Sequence, residues 1–160
     1  MKSNNTVCIL ASGKGTRMGP LGLKLAKALH PIGGKAIISR IIEKFPIETE
    51  FLVSLGFHGE QVKQYLSLAH EDRKIKYVYV DNFEGPGSGP GYSLLCCNEH
   101  LQKPFYFVSC DTLWKNEINW NQKNNWFGVD SVSAKESESY CNLKIENNLI
   151  TSVSDKKRLD

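Results

Sequence analysis

Between Val7 and Lys35 the chain reads VCILASGKGTRMGPLGLKLAKALHPIGGK, and its cations crowd there as Lys14, Arg17, Lys24, Lys27 and Lys35. An apolar run closing on Leu10 and Ala11 passes abruptly into Ser12, Gly13, Lys14, Gly15, Thr16 and Arg17. Short continuous apolar runs are the mark of strands buried on both faces, and ligands dock at the carboxyl ends of such strands in open α/β sheets. Glycines let the backbone come close to a ligand, so several N–H groups can converge on phosphate oxygens. Arg17 adds a planar fork suited to phosphate and Lys27 a compact charge. Together these residue types are suited to holding a triphosphate.

Two familiar phosphate loops do not fit. A Walker loop needs G-x-x-x-x-G-K-[ST], and Gly13-Lys14-Gly15-Thr16 lacks that spacing. The dinucleotide fingerprint G-x-G-x-x-G fails at its third glycine, where Met18 stands, and no acidic residue follows where a ribose anchor would be.

The stretch instead resembles the nucleotidyltransferases that build sugar nucleotides, whose pattern runs L-[AG]-[AG]-G-x-G-T-R-[LM]-x-P-L-T and then P-K-x-L-x-P-[IV]-x-G-K-P. Leu10 to Gly22 and Ala26 to Ala36 follow it, with Ser12, Gly22, Ala26 and Ala36 as departures that remove no charge. The interval from Arg17 to Lys27 matches the sugar-nucleotide branch. The molybdopterin-guanylyl branch, also similar, has a shorter gap that Lys24 would imitate less well. Leu10 through Arg17 would then bind the nucleotide, with Arg17 and Lys27 acting in catalysis.

Three further motifs extend the likeness. Phe83 to Gly91 alternates glycine with Pro and Ser, and Gly87-Ser88-Gly89-Pro90-Gly91 matches a family loop that reads the base, so Gly87 and Ser88 are assigned to the nucleotide. A plain strand-to-helix turn has the same composition. Ser109-Cys110-Asp111-Thr112-Leu113 stands where the family has G-D-x-L, which implies that Asp111 is catalytic and binds Mg²⁺; an Asp in such a place also serves as a helix cap. Ser154-Asp155-Lys156 stands where the family has E-K-P, so Lys156, with Tyr140 and Asn142 on the preceding hairpin, is assigned to the acceptor. The resemblance implies transfer of a nucleotidyl group from an NTP to a small phosphorylated acceptor, with release of pyrophosphate. The run Gly85 to Tyr92 is also similar to enzymes of bacterial capsule modification that use CTP and phosphoglutamine. This makes CTP and a role in surface polysaccharide biosynthesis the finer expectation.

Composition limits the other classes. The 160 residues carry 41% hydrophobic and 23% charged side chains, ordinary for one soluble domain. A net charge of +3 from 20 basic and 17 acidic residues is too balanced for a nucleic-acid footprint. No signal-peptide profile or membrane-length apolar run occurs, so a cytoplasmic protein without a membrane partner is expected. Cys8, Cys96, Cys97, Cys110 and Cys141 lack C-x-x-C spacing and read as reduced, buried thiols rather than a zinc site. Oligomeric state is not legible.

Periodicity supplies the scaffold. Strands are expected at Val7–Ala11, Glu50–Leu55, Lys74–Val80, Phe105–Val108 and Phe127–Lys135. Helices are expected at Ala36–Phe45, Gly59–Ala69 and Tyr92–Leu101. Asn147-Asn148 marks a hairpin between Tyr140–Glu146 and Leu149–Val153. Trp114, Trp120 and Trp126 read as packing or as an acceptor-pocket lining. Alternating strands and helices predict an α/β domain over residues 1–160 with a parallel sheet covered on both faces. The resemblance sharpens this to a Rossmann-like three-layer αβα, mostly parallel, GT-A-like nucleotidyltransferase fold. The family continues past its E-K motif to a second metal-binding Asp, and Asp160 comes too soon, so a C-terminally truncated or short member is expected. Two other readings stay open or fall. A nucleotide-binding module without turnover would share these motifs, whereas a glycosyltransferase of like architecture would need an Asp-x-Asp pair that Ser109-Cys110-Asp111 lacks.

Overall fold

The structure, a computed structural model, describes residues 6–118 and 124–155. The chain divides into two compact units, Met1–Lys115 and Asn116–Asp160. In the first, β1 (Thr6–Ala11) leads through short 3₁₀ turns to the small hairpin β2 (Pro31–Ile32) and β3 (Lys35–Ala36), then α1 (Ile37–Ile42). β4 (Glu50–Leu55), α2 (Gly59–Ala69), β5 (Lys74–Tyr79), α3 (Pro90–Cys96) and β6 (Phe105–Ser109) follow. β5, β4, β1 and β6 form, in that order, one sheet whose neighbours all run parallel.

Strand alternation explains how this sheet is covered. Cys8, Leu10 and Leu52 point to one face, where Cys97, Leu94 and Leu101 of the α3 region pack on them. Val7, Ile9, Phe51, Val53 and Leu55 point to the other. There Phe45, just past α1, meets Phe51 edge-on at 5.7 Å, and α2 begins so close to β4 that a Cβ at Gly59 would lie 2.9 Å from Leu55 Cβ. Both central strands are therefore sealed, and the result is a three-layer α/β fold. α1 is rich in Ile, which disfavours helix intrinsically. It forms because Ile37, Ile38, Ile41 and Ile42 are all buried against the sheet, a case of packing overriding propensity.

Several expected boundaries move. α1 ends at Ile42 and continues only as turns to Phe45. α3 starts two residues early because Pro90 occupies its first turn, where a missing N–H is harmless. It also stops at Cys96, with a 3₁₀ turn at Asn98–His100 taking the place of its last turn.

The second unit contains α4 (Ala134–Ser137) and the antiparallel hairpin β7 (Cys141–Glu146) and β8 (Leu149–Asp155). Asn147 (φ 51°) and Asn148 (φ 64°) both turn left-handed, as a two-residue hairpin of this type requires. The strand expected at Phe127–Lys135 is absent. Ser133 and Glu136 instead close a capping box, Ser133 accepting from the Glu136 N–H and Glu136 from that of Ser133, which starts α4 inside that span. All five cysteines are free, but Cys141 is exposed and Cys96 half-buried, against the expectation of burial. Cys8 and Cys97 are fully buried, and the hydrogen bond that the Cys8 thiol donates to Cys97, then burial, pushes the Cys8 thiol far up, so it stays protonated.

A buried polar knot ties α1 to α2: Ser39 Oγ lies 2.8 Å from Tyr65 Oη and 2.7 Å from His70 Nε2. Burial holds His70 below its usual value of 6.5, with Glu43 and Asp72 opposing and Arg73 and Lys35 assisting. A depressed imidazole stays neutral in the fold while the unfolded chain takes up a proton, so its contribution is complete above 6.5 and lost as pH falls. The urea midpoint should therefore drop between about pH 7.5 and about pH 5.5, and His70→Gln should flatten part of that drop. At the end of β4, a Cβ on Gly56 would sit 2.5 Å from the Ser12 carbonyl oxygen. Gly56→Ala should cost about 1–3 kcal/mol in denaturant unfolding, the usual effect of overpacking against unyielding backbone.

Candidate active site

β1 stops because its chain turns into Gly13–Gly15 at the carboxyl edge of the sheet. Gly15 is left-handed (φ 65°), and its carbonyl accepts from the Met18 N–H at 2.8 Å, opening a 3₁₀ turn over Thr16–Leu21. The absence of a side chain at Gly15 matters twice, since a Cβ there would also lie 3.2 Å from Lys27 Cβ. The loop thus rests on the stem of Lys27.

α2 holds the segment that delivers Lys27. Gln61 Oε1 accepts from the Ala26 N–H at 3.0 Å and Gln61 Nε2 donates to the Lys24 carbonyl at 3.1 Å. His58, left-handed at the helix start, places Nε2 2.9 Å from the Leu23 carbonyl oxygen. The backbone leading up to the lysine is therefore pinned by one helix and the residue at its start.

Asp111 arrives from the neighbouring strand. The Cys110 N–H donates to the Leu10 carbonyl at 3.2 Å, prolonging the β1–β6 ladder to the point where the chain turns. There Lys27 Nζ forms an ion pair with Asp111 Oδ2, their side chains 24% and 35% exposed. The pair is accessible to solvent while backed by the sheet edge. Cys110 next door is pushed up to about 11 by burial first and by Asp111 second, so it is a protonated packing group and no nucleophile. Among the described residues no cluster of three or more His, Cys, Asp or Glu side chains gathers to hold a metal. The Asp111 carboxylate stands at the strand end, and a single carboxylate suits a hard cation that takes its other ligands from phosphate and water.

The glycine loop after β5 is fastened to the same edge. Ser12, 3% exposed, shares a 2.8 Å hydrogen bond with Ser93 of α3. Ser93 Oγ also donates to the Gly89 carbonyl at 3.1 Å. Lys14 Nζ reaches Glu84 Oε2 at 2.6 Å. Within the loop Gly85 (φ 85°) and Gly87 (φ 80°) are left-handed, and Ser88 Oγ donates to the Gly85 carbonyl at 2.7 Å.

Leu10, Ala11, Ser12, Gly13, Lys14, Gly15 and Thr16 thus lie at one strand end, beside Lys27 and Asp111 and joined to the Gly87–Ser88 loop. Arg17 is exposed and makes no ion pair among the described residues. Tyr140 and Asn142 belong to the second unit, where Asn142 Nδ2 donates to the Ser137 and Tyr140 carbonyls at 2.8 and 3.0 Å. Lys156 and Trp120 lie outside the described residues. Trp114 packs edge-on to Phe45 at 6.0 Å, with Lys44 Nζ 5.3 Å from its ring. Gln61, Ser93, Glu84 and Gly56 were not expected from sequence. Each acts on a partner more than 30 positions away, and only the glycine after an apolar strand carried a local signal.

Among the described residues no helix is long and apolar enough to cross a membrane. A crystal structure from Bacillus anthracis assigned as a glucose-1-phosphate thymidylyltransferase superposes with a TM-score of 0.76 at 22% identity, over 95% of this chain and 64% of that one. The CTP:phosphocholine cytidylyltransferase of Streptococcus pneumoniae gives 0.70 at 23%, over 94% and 64%. Both likenesses are of fold. In sequence, the bifunctional protein GlmU of Methanococcus maripaludis (strain C5) is 31% identical over 112 residues, which make up 69% of this chain and 25% of that protein. The chain therefore spans about a quarter of that relative. The model of the MobA-like NTP transferase domain matches residues 7–118, from the start of β1 to beyond the strand end that carries Asp111. By that match the chain belongs to the MobA-like NTP transferase domain family.

Proposed function

We propose that the protein transfers a nucleotidyl group from an NTP to a small phosphorylated acceptor, releasing pyrophosphate. The observation that carries this reading is the Lys27–Asp111 pair beside the Gly13–Thr16 loop. An acceptor phosphate oxygen attacks the α-phosphorus, the bond to the β-phosphate bridging oxygen breaks, and pyrophosphate leaves with that oxygen. Both partners are anions, so alignment and charge neutralisation supply most of the rate. The Gly13–Thr16 amides and Arg17 hold the β- and γ-phosphates, and Lys27 offsets charge at the α-phosphate. Moving Lys27 onto phosphate releases the Asp111 carboxylate, which would hold a divalent cation, Mg²⁺ in the first instance. When bound, that cation neutralises phosphate oxygens and helps align them. Gly87 and Ser88 face the base, and Tyr140, Asn142 and Lys156 are assigned to the acceptor.

Finer points rest on the glycine run Gly85 to Tyr92. They are CTP as donor, phosphoglutamine as acceptor, and a role in surface polysaccharide biosynthesis; a sugar phosphate is the acceptor that the family resemblance implies. A cytoplasmic location goes with this reading, since NTPs are found there.

Lys27→Ala and Asp111→Ala should each lower pyrophosphate release by about 10²–10³ while circular dichroism stays unchanged, and near-normal turnover in either would refute its role. Thermal shift with ATP, CTP, GTP, UTP and dTTP should favour a pyrimidine; a clear purine preference would exclude the cytidylyl reading. Nucleotide binding without pyrophosphate release under every acceptor would identify a binding module that does not turn over.

A further inference from the structure

The contact between Lys14 and Glu84 joins residues 70 positions apart, one on the phosphate loop and one on the loop after β5. Lys14 Nζ also lies 5.6 Å from the centre of the Phe57 ring, and that ring is 6.1 Å from Phe83. Phe57 in turn donates its N–H to the Ser12 carbonyl at 3.0 Å. Lys14 is thus drawn over the Phe57 ring toward an acid, a different arrangement from that of a lysine spread along a phosphate chain. Beneath it the buried Ser12–Ser93 bond fixes the bases of the same two loops.

We propose that Glu84 is a positioning residue that competes with the polyphosphate for Lys14, so that nucleotide entry opens a latch between the two loops. This rests on the nucleotide-binding reading above. The two side chains are 33% and 57% exposed, and pairs so exposed contribute little, so a polyanion of higher charge displaces the acid readily. The Ser12–Ser93 bond stays closed as that happens, and the loop bases keep their places. Glu84 therefore acts on affinity, through Lys14, and leaves the chemical step alone.

The test uses the full chain with two probes, inorganic tripolyphosphate and CTP, by calorimetry, together with pyrophosphate-release kinetics. Glu84→Gln should tighten binding of both probes about two- to five-fold and lower KM for the nucleotide to match, with kcat unchanged. Glu84→Asp should keep wild-type affinity, and Lys14→Gln should abolish the gain from Glu84→Gln in the double variant. Unaltered affinity in Glu84→Gln overturns the proposal and leaves the nucleotidyltransferase reading standing. A gain for CTP but not for tripolyphosphate, or one that survives in the Lys14→Gln background, also overturns it. Failure of the wild type to bind either probe removes the function reading, and this inference with it.

Discussion

The ion pair between Lys27 and Asp111 is the contact on which the site depends, because its halves come from opposite ends of the first unit. Residues 84 positions apart meet only if β1 and β6 are neighbours and run in the same direction. Parallel pairing puts both carboxyl ends on one edge, and the sheet order brings β6 next to β1, leaving β4 on the other side. Three other features of the site serve that meeting. α2 pins the backbone before Lys27, Gly15 leaves room for its stem, and the Cys110 N–H extends the ladder that carries Asp111.

The pair also reconciles two kinds of resemblance. The sequence interval from Arg17 to Lys27 resembles that of the sugar-nucleotide branch, whereas Lys24 would imitate the shorter gap of the molybdopterin-guanylyl branch. Lys24 does not replace Lys27 at the carboxylate. Its own carbonyl is held by Gln61, and the next lysine three residues on reaches Asp111. The spacing in this chain therefore has a structural counterpart.

Much of this was legible because it is local. The β1 run, β4, α2 and the Asn-Asn hairpin announce themselves through periodicity and turn chemistry, and β4 and α2 fall at the expected residues. What failed was governed by competing local signals or by distant partners. The apolar residues of Phe127–Lys135 suggested a strand, but the Ser133/Glu136 capping box starts a helix within it. The early start of α3 follows from Pro90, a residue type that fits a loop and the first turn of a helix equally well. Glu84, Ser93 and Gln61 carry no sign in sequence of the residues they bind, since each contact exists only once strands are ordered.

The two ion pairs of the site, Lys27–Asp111 and Lys14–Glu84, have a common consequence for binding. In both, a cation of the phosphate-loop region is satisfied by an acid from another strand end. Without substrate this leaves neither lysine as an uncompensated cation. With substrate, each lysine that turns to phosphate frees a carboxylate of opposite preference. One of these, on Asp111, is backed by buried sheet and suits a cation; the other, on Glu84, is more exposed and simply returns to water. On the proposed function, their different settings make one pair part of the chemistry and the other a modest competitor for the nucleotide. Exposed pairs cost little to break, whereas a carboxylate fixed at a strand end keeps its position when its partner moves.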